Sequence, residues 1–198
     1  MLLWLNNRPA TVVTAAQPEL PAEWIVAKSL GKPDAPVVVQ MWEDFLCPAC
    51  QQFSGTVEPQ IFNDFVKDGT VRLEFHQFPL DQHKPGSFMA ANAAECAADQ
   101  NFFWPYHDRL FSSAEQRGQA GLVYDELVKM SAIDGMDQAK FKTCMNNLQF
   151  NNDLATSLSE AQRLGLTSTP SIIVNGALAA NPFDYNALKA QITAAAGN

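Results

Sequence analysis

The chain has 198 residues, 47% of them apolar and 17% charged, which suits one cored domain and argues against disorder. Thirteen basic against twenty-one acidic residues give a net charge of −8. No Lys/Arg cluster supplies a basic face, so the composition speaks against a nucleic-acid partner.

The first element is the apolar run Met1 to Leu5, which Asn6-Asn7-Arg8-Pro9 ends at once. A signal peptide needs a charged start and about 7–15 apolar residues, and a membrane span needs about 20. The run meets neither requirement, which leaves a frayed apolar start or a chain that begins just after or inside an anchor. Residues 8–36 carry Pro9, Pro18, Pro21, Pro33 and Pro36 with little periodicity, so residues 1–30 are expected to be an extended lead-in. Order is expected from Ala35, where Val37-Val38-Val39-Gln40-Met41-Trp42 predicts a buried central strand.

A helix is predicted from about Pro48 to Val66, with Phe53, Val57, Ile61, Phe62 and Phe65 at helical spacing, a kink at Pro59 and a stop at Asp68-Gly69. Val71 to Phe78 alternates with period two and predicts a second strand, ended by Pro79. Strand, helix and strand suggest a parallel crossover unit. Residues 85–164 then read as helical throughout, and Gly165 falls where a helix would be capped. The sheet pattern returns in a hairpin, Ser171 to Val174 and Ala177 to Ala180, around the Asn175-Gly176 turn. A last amphipathic helix starts near Asp184 with Leu188, Ile192 and Ala195 inward. The plan is one α/β domain, residues 31–84 and 165–198, split by an all-helical insert at 85–164.

Two of the four cysteines lie in Glu43-Asp44-Phe45-Leu46-Cys47-Pro48-Ala49-Cys50, where a strand gives way to a helix. That puts Cys47 at the N-cap and Pro48 at the first helical position, where its missing N–H costs nothing. Free backbone N–H groups and the positive helix end favour a thiolate at Cys47. Cys50 falls one turn in, shielded. A nucleophilic outer sulfur beside a buried resolving sulfur is what thiol–disulfide exchange requires. Structural zinc is the main rival, but it needs four convergent ligands, and Cys96, Cys144, His76, His83 and His107 are scattered along the chain. A pair of inert core cysteines is the second rival; a strand-to-helix junction is a place for reactivity more than for packing.

The chain resembles DsbA-like thiol:disulfide oxidoreductases of the thioredoxin-fold superfamily, specifically the BdbD type. The resemblance covers roughly Gly31 to the C-terminus. It rests on Gly31-Lys32-Pro33-Asp34-Ala35-Pro36-Val37, the Glu43 to Cys50 stretch, Phe78-Pro79-Leu80, Phe103-Trp104-Pro105-Tyr106-His107-Asp108-Arg109-Leu110-Phe111, and Thr169-Pro170-Ser171 with Asn175-Gly176. It implies a thioredoxin fold, a mixed sheet flanked by helices with an all-helical insertion. It implies Cys47 as attacking thiolate, Cys50 as resolving thiol, Pro48 and Ala49 as the active-site dipeptide, and Pro170 as a cis-proline facing the pair. Thr169 would offer backbone hydrogen bonds to an extended substrate.

Two departures stand out. Strongly oxidising members often carry His where this chain has Ala49, and many place a buried acid at the position of Met41. Glu43 or Asp44 could compensate, although either reads equally well as a solvated charge near a strand end. Cys96 and Cys144 lie on apolar helix faces, as two small buried hydrophobes or, as in some family members, as a structural disulfide. Trp104 and His107 read as core packing and a satisfied structural histidine.

The resemblance implies oxidation of reduced or unfolded substrate proteins outside the cytoplasm, in the periplasm or at the outer face of the cytoplasmic membrane, with anchoring through a preceding N-terminal segment left open. No cofactor beyond the disulfide and no metal is implied, and by analogy a membrane quinone-linked enzyme of DsbB or vitamin-K-epoxide-reductase type would reoxidise the pair. Ala49 and Met41 keep a reductase or isomerase open on the same fold. From another class, a non-catalytic peptide-binding module would use the groove beside Pro170 without redox turnover.

Overall fold

The computed structural model describes residues 16–197, so the Met1 to Leu5 run lies outside the described residues. Six strands form one sheet: β1 (Ile25–Val26), β2 (Ser29–Leu30), β3 (Val37–Glu43), β4 (Val71–Gln77), β5 (Ser171–Val174) and β6 (Ala177–Leu178). Their order is β1-β2-β4-β3-β5-β6, with β3 and β4 parallel and every other pair antiparallel.

The lead-in does not stay extended through residue 30 as expected. A short 3-10 turn (Ala22–Trp24) feeds the β1–β2 hairpin, and Leu30 pairs with Leu73 on the free edge of β4. The pairing covers backbone groups that an open edge would leave exposed. Gly31, at φ +125°, lets the chain leave this edge; a Cβ there would collide with the Val71 carbonyl oxygen.

The crossover from β3 to β4 is one helical run in three pieces: α1 (Pro48–Thr56), α2 (Glu58–Ile61) and a π-turn (Phe62–Val66). Pro59 has no N–H to give the Gly55 carbonyl, and the run breaks at Val57, close to the kink expected at Pro59. Between β4 and β5 come α3 (Gly86–Ala98), α4 (Phe103–Arg117), α5 (Tyr124–Met130), α6 (Gln138–Asn146) and α7 (Asn151–Arg163). After α7, Gly165 takes φ +72° and two bonds close the end, Leu166 N–H to Ala161 O and Gly165 N–H to Gln162 O. Asp184 caps α8 (Tyr185–Ala196) by accepting from the Ala187 N–H at 3.0 Å.

The sheet is covered on both faces. Val37, Val39 and Met41 point with Val71, Leu73 and Phe75 into the main core, against Phe53, Ile61, Phe103 and Tyr106. Trp42 and Ile173 point the other way and meet Phe78, Ala161 and Leu166 in a smaller cluster. Burying each of these large side chains is worth roughly 1.5–3 kcal/mol, which fixes the strand register. That register matters for the site. Trp42 pairs with Ser171, so Thr169 and Pro170 arrive beside the end of β3, where the chain turns into α1.

Candidate active site

Cys47 and Cys50 are held by the β3–α1 junction. Cys47 is the N-cap of α1 and Pro48 its first residue, so the backbone N–H groups of Ala49 and Cys50 remain free to face the Cys47 sulfur. Cys47 is 8% exposed and Cys50 fully buried, and both are free thiols. Pro48 is exposed and Ala49 half-buried on the outer lip. The Cys50 sulfur also lies 3.5 Å from the Asp44 N–H.

The two sulfurs are electrostatically unlike. The Cys50 thiol donates to the Cys47 sulfur and is the largest of the influences that lower the Cys47 pKa to about 5. Burial opposes the shift, while Thr169 and the Ala49 and Cys50 N–H groups support it. Thr169 acts through two atoms. Its carbonyl oxygen, 3.5 Å from the Cys47 Sγ, accepts from the thiol form, whereas its buried hydroxyl, which makes no hydrogen bond of ordinary geometry, favours the thiolate. Burial drives the Cys50 pKa far up, with the neighbouring Cys47 and the Glu43 carboxyl adding to it. The Thr169–Pro170 peptide is cis. So is Lys84–Pro85, at the start of the insert.

Glu43 and Asp44 are not solvated charges near a strand end: they are 0% and 1% exposed. The two-residue period that turns Val37, Val39 and Met41 inward also turns Glu43 inward, one pleat nearer the site than Met41. Burial pushes the Glu43 pKa well above the carboxylate range, and Glu58 pushes it further. The carboxyl faces Cys50 and feels its sulfur, yet neither oxygen has a hydrogen bond of ordinary geometry. Asp44 is the opposite case. Its Oδ1 accepts from the Leu46 N–H at 2.8 Å and the Ser87 hydroxyl at 2.5 Å. Its Oδ2 accepts from the Leu80 N–H at 2.8 Å and lies 2.8 Å from His83 Nδ1. One carboxylate thus ties the cysteine loop to the start of the insert.

Cys96 and Cys144 lie apart from this site, in α3 and α6, and are joined in a buried disulfide with a Cα–Cα distance of 5.9 Å. Among the described residues no three His, Cys, Asp or Glu side chains converge as metal ligands would. Three further residues near the site have no role expected there from the sequence: Glu58 on α2, and His83 and Ser87 around Asp44. Only the period of β3 offered a local signal, for Glu43; the others meet through contacts that join distant parts of the chain.

The family model described as "Thioredoxin" matches residues 26–194. The chain is 32% identical over 167 residues to the probable disulfide bond formation protein D of Bacillus anthracis, covering 83% of this chain and 76% of that one. It is 31% identical over 172 residues to disulfide bond formation protein D of Bacillus subtilis, covering 82% and 74%. The crystal structure of oxidised BdbD from Bacillus subtilis superposes with a TM-score of 0.79 at 27% identity, covering 86% of this chain and 93% of that one. With a thiolate-favouring Cys47 at the head of α1 and a buried Cys50 behind it, the chain belongs to the DsbA- and BdbD-like thiol:disulfide oxidoreductases of the thioredoxin family.

Proposed function

We propose that the protein is a disulfide donor working outside the cytoplasm, oxidising paired thiols of reduced or unfolded proteins through Cys47 and Cys50. The observation that carries this reading is the asymmetry of the sulfurs: Cys47 has a pKa of about 5 and some exposure, and Cys50 is sealed behind it. A thiolate already stable at neutral pH stabilises the reduced pair, which makes the disulfide a better oxidant.

A substrate thiolate attacks Cys47 Sγ, and the bonding electron pair leaves on Cys50, which takes up a proton; Glu43 is the buried acid facing it. The second substrate thiolate then attacks the substrate sulfur of the mixed disulfide, and Cys47 departs as a thiolate. Two electrons pass to the pair; of the two substrate protons, the balance leaves one on Cys50 and one in solvent. Thr169 and Pro170 lie beside Cys47, where an extended substrate strand would take backbone hydrogen bonds. The disulfide is its own electron acceptor, and no further cofactor enters the cycle.

The relatives named for disulfide bond formation support the donor reading. The extracytoplasmic setting and a membrane quinone-linked reoxidase of DsbB or vitamin-K-epoxide-reductase type belong to the proposal by family analogy. Among the described residues no helix is long and apolar enough to cross a membrane. Ala49, which adds neither a donor nor a charge beside the thiolate, favours a second reading, a reductase or isomerase.

A glutathione redox titration with trapped thiols counted at each cysteine separates the two. Equilibration of Cys47 and Cys50 near about −120 to −180 mV supports the donor. A potential near about −250 mV or lower overturns it in favour of the reductase.

A further inference from the structure

His107 sits fully buried in an aromatic cage. Ring-centroid distances are 4.8 Å to Phe111, 5.3 Å to Phe75, 5.4 Å to Trp104, 5.6 Å to Phe103 and 5.9 Å to Phe45. Among the described residues, the charged groups that face it are Asp108 of its own helix and Glu58 of α2. Asp108 Oδ1 lies 3.0 Å from Nδ1, and Glu58 Oε2 lies 3.9 Å from Nε2. The Glu58 carboxyl in turn acts electrostatically on Glu43, and Glu43 on Cys50.

The line is under-bonded at each buried step. Both Glu43 oxygens, Glu58 Oε2 and His107 Nε2 have no hydrogen-bond partner. Buried polar groups kept only for structure are normally saturated, as Asp44 is here. The line also ends at solvent: the Asp108 side chain is 54% exposed and, with Glu58, Gln51 and Ser54, lines a cleft of about 410 Å³ between α1, α2 and α4.

Burial lifts the pKa of Glu58, with Asp108 adding to it. At His107 burial acts against the imidazolium, but the carboxyls of Glu58 and Asp108 outweigh it and hold the pKa above the ordinary value. Glu58 and His107 face each other at 3.9 Å, and a single proton between them leaves the pair neutral whichever of them holds it. Moving that proton between them adds no net charge to the apolar interior, which is the condition for a cheap buried transfer.

We propose that Glu58 and His107 form a proton relay connecting the Glu43–Cys50 pair with Asp108 at the mouth of the cleft. The inference rests on exchange at Cys47 and Cys50 and holds for either direction of electron flow. When a substrate thiolate opens the disulfide, the bonding pair goes to Cys50, and neutral Glu43 gives that sulfur its proton. Imidazolium His107 passes its proton to Glu58, Glu58 passes it on to Glu43, and His107 recovers a proton from solvent by way of Asp108. The net change along the line is one proton taken up at the cleft; no electrons move beyond the sulfurs. Reoxidation sends the proton back along the same groups.

A relay alters the barrier and leaves the end states alone. The test is single-turnover kinetics in both directions on the parent protein, Glu58→Gln, His107→Gln, the double variant and Asp108→Asn. One reaction is oxidation of a synthetic dithiol peptide by the disulfide form, and the other is reoxidation of the dithiol form by excess oxidised glutathione. Both rates are expected to fall by the same factor in each buried single variant, roughly 10- to 100-fold, at or below the low end for positioned proton transfer. The glutathione equilibrium constant should stay unchanged, and the double variant should be no slower than the slower single variant. Asp108→Asn, at an exposed position that tolerates change, should slow both directions more mildly and keeps the test open if a buried variant does not fold. Unchanged rates in the folded variants would overturn the relay. So would an equilibrium constant that moves with one rate alone, the mark of a purely electrostatic or structural pair. Absence of exchange in the parent protein would instead refute the disulfide reading itself.

Discussion

Replacing Cys50 by Ala removes the largest support of the Cys47 thiolate, the bond donated by the inner thiol. Hydrogen bonds to charged groups contribute about 1.5–3 kcal/mol, and one pKa unit corresponds to about 1.4 kcal/mol. The Cys47 pKa should therefore rise from about 5 to between roughly 6 and 7. It should not return to 9.0, because the Thr169 hydroxyl and the N–H groups at the start of α1 remain. Cys50→Ser is the internal control, since its hydroxyl still donates and should hold the pKa near that of the parent. The assay is the rate of Cys47 alkylation by iodoacetamide, followed from acid to mildly alkaline pH in reduced protein. An Ala variant that still titrates near 5 would refute the reasoning and pass the whole effect to the helix start and Thr169.

The reduced protein should become more stable as pH rises from 5. Cys47 titrates near 5 when folded against 9.0 in the reference state, so between these values the unfolded chain binds the extra proton. The gain is at most about 2.7 kcal/mol at pH 7, less what solvent at the open side of the sulfur screens. The buried Glu43 and Glu58, whose raised pKa values act in the opposite sense, are present in both redox forms. Urea denaturation of reduced and oxidised protein should show the gain in the reduced form alone, and an equal trend in both would sink the argument. Cys96→Ala with Cys144→Ala should cost about 4 kcal/mol in the chain-entropy account of a 48-residue closure. The same variant should leave the alkylation profile of Cys47 unchanged; a shifted profile would mean the second disulfide reaches the site. Asp44→Ala should destabilise by about 3 kcal/mol or more in urea, because the Leu46 and Leu80 N–H groups lose their acceptor. A loss below about 1 kcal/mol would mean those donors are satisfied otherwise.

Chemistry carried by neighbouring residues was legible in the chain itself. Cys47-Pro48-Ala49-Cys50 announces its helix start, and Asn175-Gly176 announces its turn: both residues take positive φ, and the Asn175 side chain pins the hairpin to Pro36 and Val38. The two-residue strands β1 and β2 were hidden, being too short for any period and formed only because β4 has an edge to offer. Glu43 and Asp44 stay open between a buried acid and a surface charge for a different reason. Residue type alone assigns carboxylates to the surface, whereas the strand period sets the direction of Glu43 and distant donors hold Asp44. Glu58 and His107 face each other across α2 and α4, a meeting that no local pattern encodes.

Because β4 runs parallel to β3 and β5 runs against it, the end of β4 and the start of β5 both lie at the Cys47 end of the sheet. The helices from α3 to α7 are thus grafted on at one rim, leaving and rejoining the sheet within sight of the reactive sulfur. Exposed positions of such a graft can be re-lettered without disturbing strand register, whereas Phe103 and Tyr106 cannot, because they pack into the core beneath β3 and β4. In evolutionary terms the exposed face of the graft is free to drift, while the cysteine pair, anchored in β3 and α1, stays in place.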